Sequence, residues 1–239
     1  TGVQTCALPI SEADSVLYRE ADPFPHILME NFISEEVVDR ILEDFPTPEQ
    51  QLAWRQLSPV NDRGDKLQYN KLGLCALDQL NSAARELVQE MNSSTFVRFL
   101  ERMTGIENLL PDPSLQGGGI HQVLPGGVLG VHADFTRHRN YQLDRRLNVL
   151  VYLNTHWEDN WGGHLELWAR DMSRCGRRIR PLAGRCVIFS TSDTSFHGHP
   201  EVLRCPHDVT RRSIALYYYS RGREDEQVDP TRSEEHTTE

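Results

Sequence analysis

The sequence lacks long apolar runs and any excess of basic residues. No stretch approaches the roughly 18 apolar residues of a membrane-spanning helix, and no charged segment followed by an apolar one opens the chain. Its 25 Lys and Arg are outnumbered by 35 Asp and Glu, which gives a net charge of −10. These absences argue against a membrane protein and against a broad nucleic-acid-binding surface.

Cysteine is scarce, and its spacing is uninformative. The chain has five cysteines, and one of them, Cys6, lies in an N-terminal segment set aside below. The others form no CxxC pair and match neither a zinc ribbon nor a dense disulfide scaffold. They are Cys75, Cys175, Cys186 and Cys205. We therefore expect a reduced, cytoplasmic protein.

Both ends of the chain resemble translated sequencing-library adapter. TGVQTCALPI at 1–10 and RSEEHT near the other end can be back-translated into strands that contain reverse-complementary segments. We expect 1–10 and 232–239 to be artefacts. The remaining 11–231 has the length of a single domain. Within it we predict a helical N-terminal part at about 22–105 and a core at about 117–220.

Helical periodicity dominates the first half of this domain. Apolar residues recur at helical spacing between Ser34, a good N-cap, and Pro46. Two further helices are predicted, at about 78–91 and at 95–103, with Ser94 as cap and Gly105 as the end of the second. The segment 47–75 is polar and weakly periodic, which predicts a mobile loop or a substrate-facing flap.

Short strand-like runs separated by turn residues begin at Gly117 and indicate an antiparallel sandwich or barrel. The strands are predicted at 145–154, 164–168, 177–182, 185–190 and 211–219. In the first of these, Leu147, Val149, Val151 and Leu153 share one face, and Asn148, Leu150 and Tyr152 share the other. Both faces are largely apolar, as in a strand that packs on helices outside and lines a pocket inside.

Candidate metal ligands occur in two short segments. His132 and Asp134 lie on one face if VHADF is extended. His197 and His199 follow in SFHGHP. Two imidazoles and one carboxylate leave adjacent coordination positions open, an arrangement that suits non-haem Fe(II) oxygenases. The spacing leaves open which of the two later histidines is the ligand.

A candidate anion site follows these histidines. Arg211 and Ser213 are two apart in a predicted strand and point the same way. A keto acid can fill two open positions of such a metal, and its far carboxylate then needs a fixed cation. Arginine binds a carboxylate with a bidentate fork, so both side chains could reach the keto acid.

Taken in order, these motifs resemble the double-stranded β-helix domain of Fe(II)/2-oxoglutarate-dependent oxygenases, in the prolyl 4-hydroxylase-like branch. The resemblance covers about Gly117 to Ser220. It rests on the HxD at 132–134, VYLN at 151–154, GGHLELW at 162–168, SFH at 195–197 and RxS at 211–213. It implies a mainly β (α+β) fold in which helices precede a jelly-roll, cupin-like core.

The resemblance also implies roles for individual residues. Iron is expected at His132, Asp134 and His197, which leaves His199 as a neighbouring pocket group. The cosubstrate 2-oxoglutarate is expected at Arg211, with Ser213 beside it and Tyr152 donating a hydrogen bond to the same carboxylate. In LPGG, Leu124 replaces a tyrosine that relatives often carry. Asn148 is expected either to compensate at the cosubstrate or to be a plain pocket-lining amide. Other histidines are expected to be structural, with His121 satisfied by a hydrogen bond and His138, His156, His164 and His207 at the surface.

The implied activity is that of a dioxygenase. It would use Fe(II), 2-oxoglutarate and O2, with ascorbate as reductant, to hydroxylate an unactivated C–H bond and release succinate and CO2. Peptidyl proline is the first substrate expected, and a free amino acid or another small metabolite is the alternative. Two other classes stay open: a cupin-type metal protein without keto-acid chemistry, which Arg211 and Ser213 argue against, and a non-catalytic binding module.

Overall fold

The computed structural model describes residues 11–56, 67–112, 114–138 and 141–223. Its α-helices are α1 (Glu12–Arg19), α2 (Glu35–Glu43), α3 (Ser82–Met91) and α4 (Ser94–Thr104). Short 3-10 turns occupy Leu77–Gln79 and Asp159–Trp161. Within the described ranges, every helix is too short or too polar to cross a membrane.

Capping side chains set the ends of the helices. The Ser34 hydroxyl accepts a hydrogen bond from the amide of Val37 and begins α2, as predicted. The N-cap of α4 is Ser93 rather than Ser94, and Gly105 ends this helix as expected, with a left-handed φ of 74°. The helix predicted from residue 78 begins later, because the 3-10 turn precedes it and Asn81 caps α3. Helix α1 was not predicted.

The strands form one curled antiparallel sheet. They are β1 (His26–Met29), β2 (Arg55–Gln56), β3 (Gln68–Leu74), β4 (Leu110–Pro111), β5 (Gly119–His132), β6 (Asp144–Tyr152), β7 (Leu165–Trp168), β8 (Cys175–Ile179), β9 (Cys186–Ser190), β10 (His197–His199) and β11 (Arg211–Ser220). The main path runs β1-β9-β6-β11-β5-β10-β7-β8. Strand β5 pairs with β11 through its first residues and with β10 through its last. The sheet therefore curls into a mainly β half-barrel, in agreement with the predicted fold class.

Strand β6 separates the two layers of the core. Leu147, Val149 and Val151 join the apolar cluster of the helices, whereas Tyr152 belongs to a second cluster with β7 and β9. All four are fully buried, which stabilises the stack of helices on the sheet. The prediction that this strand packs on helices outside and lines the barrel inside is confirmed.

The segment 47–75 is only partly a loop. Residues 57–66 lie outside the described ranges. Residues 68–74 form β3, which pairs with β5 over Gln68↔Leu129 to Leu74↔Ile120, so the prediction of a loop or flap is wrong there. Its periodicity is weak because a register shift between Tyr69 and Lys71 interrupts the alternation.

Two of the histidines expected at the surface are buried. His138 and His164 have relative exposures of 2% and 7%. The His164 Nε2 lies 3.0 Å from an Asp159 carboxylate oxygen, and His138 packs edge-on against Tyr219. The loop contexts of these histidines concealed their contacts, whereas His156 and His207 are exposed as predicted.

Candidate active site

The HxD segment lies where β5 meets β10. His132 is directly opposite His197 in the ladder, so the pairing of two strands brings the two imidazoles together. Between the two histidines of β10, Gly198 allows this close approach. A Cβ added at Gly198 would lie 2.7 Å from the carbonyl oxygen of Gly130 and 2.8 Å from that of Leu129.

Three ligand atoms converge at this point. One donor atom from each of His132, Asp134 and His197 lies within 4.8 Å of the other two. The His132 Nε2 is 3.4 Å from Asp134 Oδ1, and the His197 Nε2 is 3.4 Å from Asp134 Oδ2. Two imidazoles and one carboxylate on one side of a common centre form the facial set that suits non-haem Fe(II).

Backbone carbonyls orient both imidazoles. The Nδ1 of His132 lies 2.9 Å from the Gly130 carbonyl oxygen, and the Nδ1 of His197 lies 3.0 Å from that of Ser195. A carbonyl only accepts, so each Nδ1 carries the proton and donates it. The unprotonated Nε2 of each ring is left for a metal, which is the usual arrangement of histidine ligands.

Asp134 is held by two buried side chains. Its Oδ2 accepts hydrogen bonds from Arg145 Nη2 at 2.9 Å and from Asn148 Nδ2 at 2.6 Å. Burial alone would raise the pKa of the Asp134 carboxyl, but the neighbouring Arg145 guanidinium holds this pKa well below its usual range. The carboxylate is therefore ionised, and its Oδ1 is left for a metal.

The structure distinguishes His197 from His199. His197 lies beside Asp134, and burial lowers its pKa to about 4, so the ring is neutral and fit for coordination at neutral pH. His199 is outside the group of converging ligand atoms. Both side chains are buried, at 6% and 3% relative exposure, so geometry rather than burial separates them.

Arg211 and Tyr152 meet on the interior face of the sheet. The Arg211 Nε donates to the Gly163 carbonyl at 2.6 Å, and its Nη2 donates to the Tyr152 hydroxyl at 3.3 Å. Gly163 has φ +69°, and a Cβ there would lie 3.2 Å from Arg211 Cδ, so a glycine is required for this contact. The Nη1 of Arg211 has no hydrogen-bond partner within the described ranges and can receive a carboxylate.

The residues around Arg211 add further donors. Burial raises the pKa of the Tyr152 hydroxyl, which therefore keeps its proton and can donate it. Ser213 is buried and stands between His121 and Tyr152 in the ladder. His121 is buried as well, and its Nε2 lies 2.9 Å from the Gly117 carbonyl oxygen. The structure thus brings Arg211, Ser213 and Tyr152 together.

Asn148 and Leu124 do not lie beside Arg211, where the sequence predicted contacts with 2-oxoglutarate. Asn148 donates to Asp134, and its oxygen accepts from Arg145 at 2.7 Å, so it supports the carboxylate ligand instead of the cosubstrate. Leu124 lines a different groove, together with Gln122 and Arg212, which alternate with the interior-facing residues of β5 and β11. Leu124 is therefore not part of the group around Arg211.

Sequence reasoning missed Arg145. Strand alternation assigns it to the helix face with Leu147, but the ladder skips a residue there: Tyr218 pairs with Leu147 and Tyr219 with Arg145. This bulge turns Arg145 to the interior, where its guanidinium stacks 3.6 Å from the Tyr217 ring centroid. The one available signal was a pair of arginines at the start of a strand that is otherwise largely apolar.

A family comparison agrees with this geometry. Residues 118–219 match the model of the 2OG-Fe(II) oxygenase superfamily, where 2OG stands for 2-oxoglutarate. These residues form a 2OG-Fe(II) oxygenase domain. The matched range contains the converging ligands His132, Asp134 and His197 as well as Arg211. Enzymes of this superfamily are 2-oxoglutarate-dependent dioxygenases that need Fe(II), 2-oxoglutarate and O2, and the donor set fits this requirement.

Several solved structures share the fold of this chain at low sequence identity. A prolyl hydroxylase from Trichoplax adhaerens, in complex with a hypoxia inducible factor peptide fragment, is 16% identical with a TM-score of 0.60, over 87% of this chain and 89% of that one. A structure of prolyl 4-hydroxylases from Phytophthora capsici is 17% identical with a TM-score of 0.61, over 96% and 70%.

A third similar structure is HygX from Streptomyces hygroscopicus, with nickel, 2-oxoglutarate and hygromycin B bound. It is 10% identical with a TM-score of 0.56, over 88% of each chain. No curated protein matches the sequence. These likenesses confirm the fold, and they leave the branch and the substrate to be argued from the site.

Proposed function

We propose that this oxygenase hydroxylates a prolyl residue of a peptide and converts 2-oxoglutarate to succinate and CO2. The convergence of His132, Asp134 and His197, with both Nδ1 atoms committed to backbone carbonyls, is the observation that carries the proposal. The similarity to a prolyl hydroxylase with a bound peptide supports the substrate class.

Each part of the site has a task in this reaction. The Nε2 atoms of His132 and His197 and the Oδ1 of Asp134 would hold the metal, while Arg211 and the Tyr152 hydroxyl would bind the far carboxylate of the keto acid. Bound Fe(II) and 2-oxoglutarate supply the activation of O2. The chain itself positions the reactants in a pocket that burial keeps dry, and it needs no separate general base.

A small-molecule substrate is the second candidate. HygX has nearly the same fold similarity and has hygromycin B bound, so the fold is compatible with ligands other than peptides. A cupin-type metal protein without a keto acid is disfavoured, because Arg211, Ser213 and Tyr152 would then face the barrel interior with no anion to bind.

Substrate-stimulated succinate release separates these candidates. Purified protein with Fe(II), 2-oxoglutarate and ascorbate, the proposed reductant, would be screened against proline-containing peptides, the same peptides with alanine in place of proline, and free amino acids. We expect succinate release and a gain of one oxygen atom only with the proline peptides. Stimulation by free amino acids alone would replace the peptide assignment with the small-molecule one. The Asp134→Ala variant serves as the inactive control.

A further inference from the structure

His199 is a buried imidazole that the metal centre does not use. It has a relative exposure of 3%. Neither its Nδ1 nor its Nε2 has a hydrogen-bond partner in the part of the chain that the structure describes. Buried polar groups are almost always paired, and each exception calls for an explanation. Both nitrogens of this ring are therefore available to a molecule bound inside the barrel.

The ladder places His199 between the metal ligands and Arg211. Along β5, His132 lies opposite His197, Leu129 opposite His199, and Val123 opposite Arg211. The pairing shifts register between His197 and His199, so alternation alone does not fix the direction of the His199 side chain. Arg211 and His132 both lie close enough to act on its ring, which places the ring in the same interior as His197. It stands one step closer to the arginine.

The charges around His199 agree with this position. Arg211 is the charged neighbour that acts most strongly on the His199 ring, ahead of Lys71 and His132. An imidazole offers an N–H donor. It can donate to a carboxylate that Arg211 also binds.

A role as metal ligand does not fit His199. The converging donor atoms belong to His132, Asp134 and His197. His197 has its Nδ1 tied to a carbonyl, as a ligand imidazole requires, whereas His199 has no such contact. The tight packing of Gly198 against β5 fixes the two imidazoles at different points of the ladder.

We propose that His199 is a positioning residue for the keto acid and donates an N–H hydrogen bond to the far carboxylate of 2-oxoglutarate, beside Arg211. This inference rests on the proposed function, because it needs 2-oxoglutarate in the barrel. It extends that function by assigning His199 as a hydrogen-bond donor to the far carboxylate of 2-oxoglutarate, with no contact to the metal.

Calorimetric titration of the anaerobic, Mn(II)-loaded protein with two keto acids tests the assignment. The first is 2-oxoglutarate, and the second is 2-oxopentanoate, which has the same chain length without the far carboxylate. His199→Leu should weaken 2-oxoglutarate binding about tenfold, the size of one hydrogen bond to a charged group. Its Kd for 2-oxopentanoate and for Mn(II) should match the wild type. His199→Gln, which keeps an N–H donor, should recover part of the loss.

Exposed His156 provides the matched control, and His156→Leu should bind both acids like the wild type. Thermal unfolding verifies that each variant is folded, and if His199→Leu is not, His199→Ala is judged by the same criteria. Equal 2-oxoglutarate binding by wild type and leucine variant would overturn the role of His199 alone. Equal weakening for both keto acids, or loss of Mn(II), would overturn the carboxylate contact. Failure of the wild type to bind 2-oxoglutarate would instead overturn the proposed function.

Discussion

Two groups of side chains inside the barrel, the metal ligands at one end and those around Arg211 at the other, differ in how their polar atoms are satisfied. At the metal end, the Nδ1 atoms of His132 and His197 and the Oδ2 of Asp134 all have hydrogen-bond partners in the fold. At the other end, Arg211 keeps an open Nη1 and His199 keeps two unpaired ring nitrogens among the described residues. The fold alone orients the metal ligands, whereas the Arg211 end has polar atoms that a ligand can bind.

This difference predicts that variants at the two ends fail in different ways. The largest effect is expected from Asp134→Ala, which removes a charged ligand from the metal end. Bound Fe(II), measured by anaerobic equilibrium dialysis, should be lost together with substrate-coupled succinate release. The exposed variant His156→Ala is the control. Normal succinate production by the Asp134→Ala variant would contradict the assignment of the metal site.

A smaller and more selective effect is expected from Arg211→Ala. The 2-oxoglutarate concentration needed for half-maximal turnover should rise about 10- to 100-fold, because charge-assisted hydrogen bonds to the far carboxylate are lost. Fe(II) binding should be unchanged. Arg212→Ala is a matched control, since this neighbour lies over Phe45 on the other face. If both variants behaved alike, the barrel interior around Arg211 would not be the keto-acid site.

Asn148→Ala tests whether the metal end depends on its supporting contacts. Removal of the 2.6 Å hydrogen bond to Asp134 should lower Fe(II) affinity about tenfold, as for other groups that orient metal ligands. The 2-oxoglutarate requirement should change little at saturating metal. A selective loss of 2-oxoglutarate affinity would instead indicate that Asn148 contacts 2-oxoglutarate.

The smallest effects are expected on folding stability. Gly198→Ala places a Cβ against two β5 carbonyls and should reduce the free energy of unfolding by about 1–3 kcal/mol, as overpacking does. Gly105→Ala meets no atom within 4 Å but has φ +74°, and it should cost about 1 kcal/mol through backbone strain alone. Denaturant unfolding measures both. A Gly198→Ala protein as stable as the wild type would show that the two strands approach less closely.

Much of the site could be predicted from the sequence because its residues lie on regular strands. The alternation of side chains along a strand correctly placed Tyr152 inside the barrel and Leu147 on its outer face. It also placed Arg211 and Ser213 on one face of their strand. Motif order pointed to His197 over His199, and hydrogen bonds of the ring nitrogens supply a physical reason for that choice.

The remaining features depend on irregularities that alternation cannot reveal. The bulge before Leu147 turns Arg145 to the interior, where Arg145 and Asn148 both donate to Asp134. A register shift hides β3 within a polar segment. Long-range pairing decides all of these features, so they are visible only in three dimensions.

The most direct test of the account is the visible absorption of the anaerobic protein with Fe(II) and 2-oxoglutarate. Chelation of the metal by the keto acid at His132, Asp134 and His197 predicts a weak visible metal-to-ligand band that needs both additions. The band should be absent in Asp134→Ala and should demand more 2-oxoglutarate in Arg211→Ala. A wild-type protein that binds Fe(II) but develops no band with 2-oxoglutarate would contradict the account.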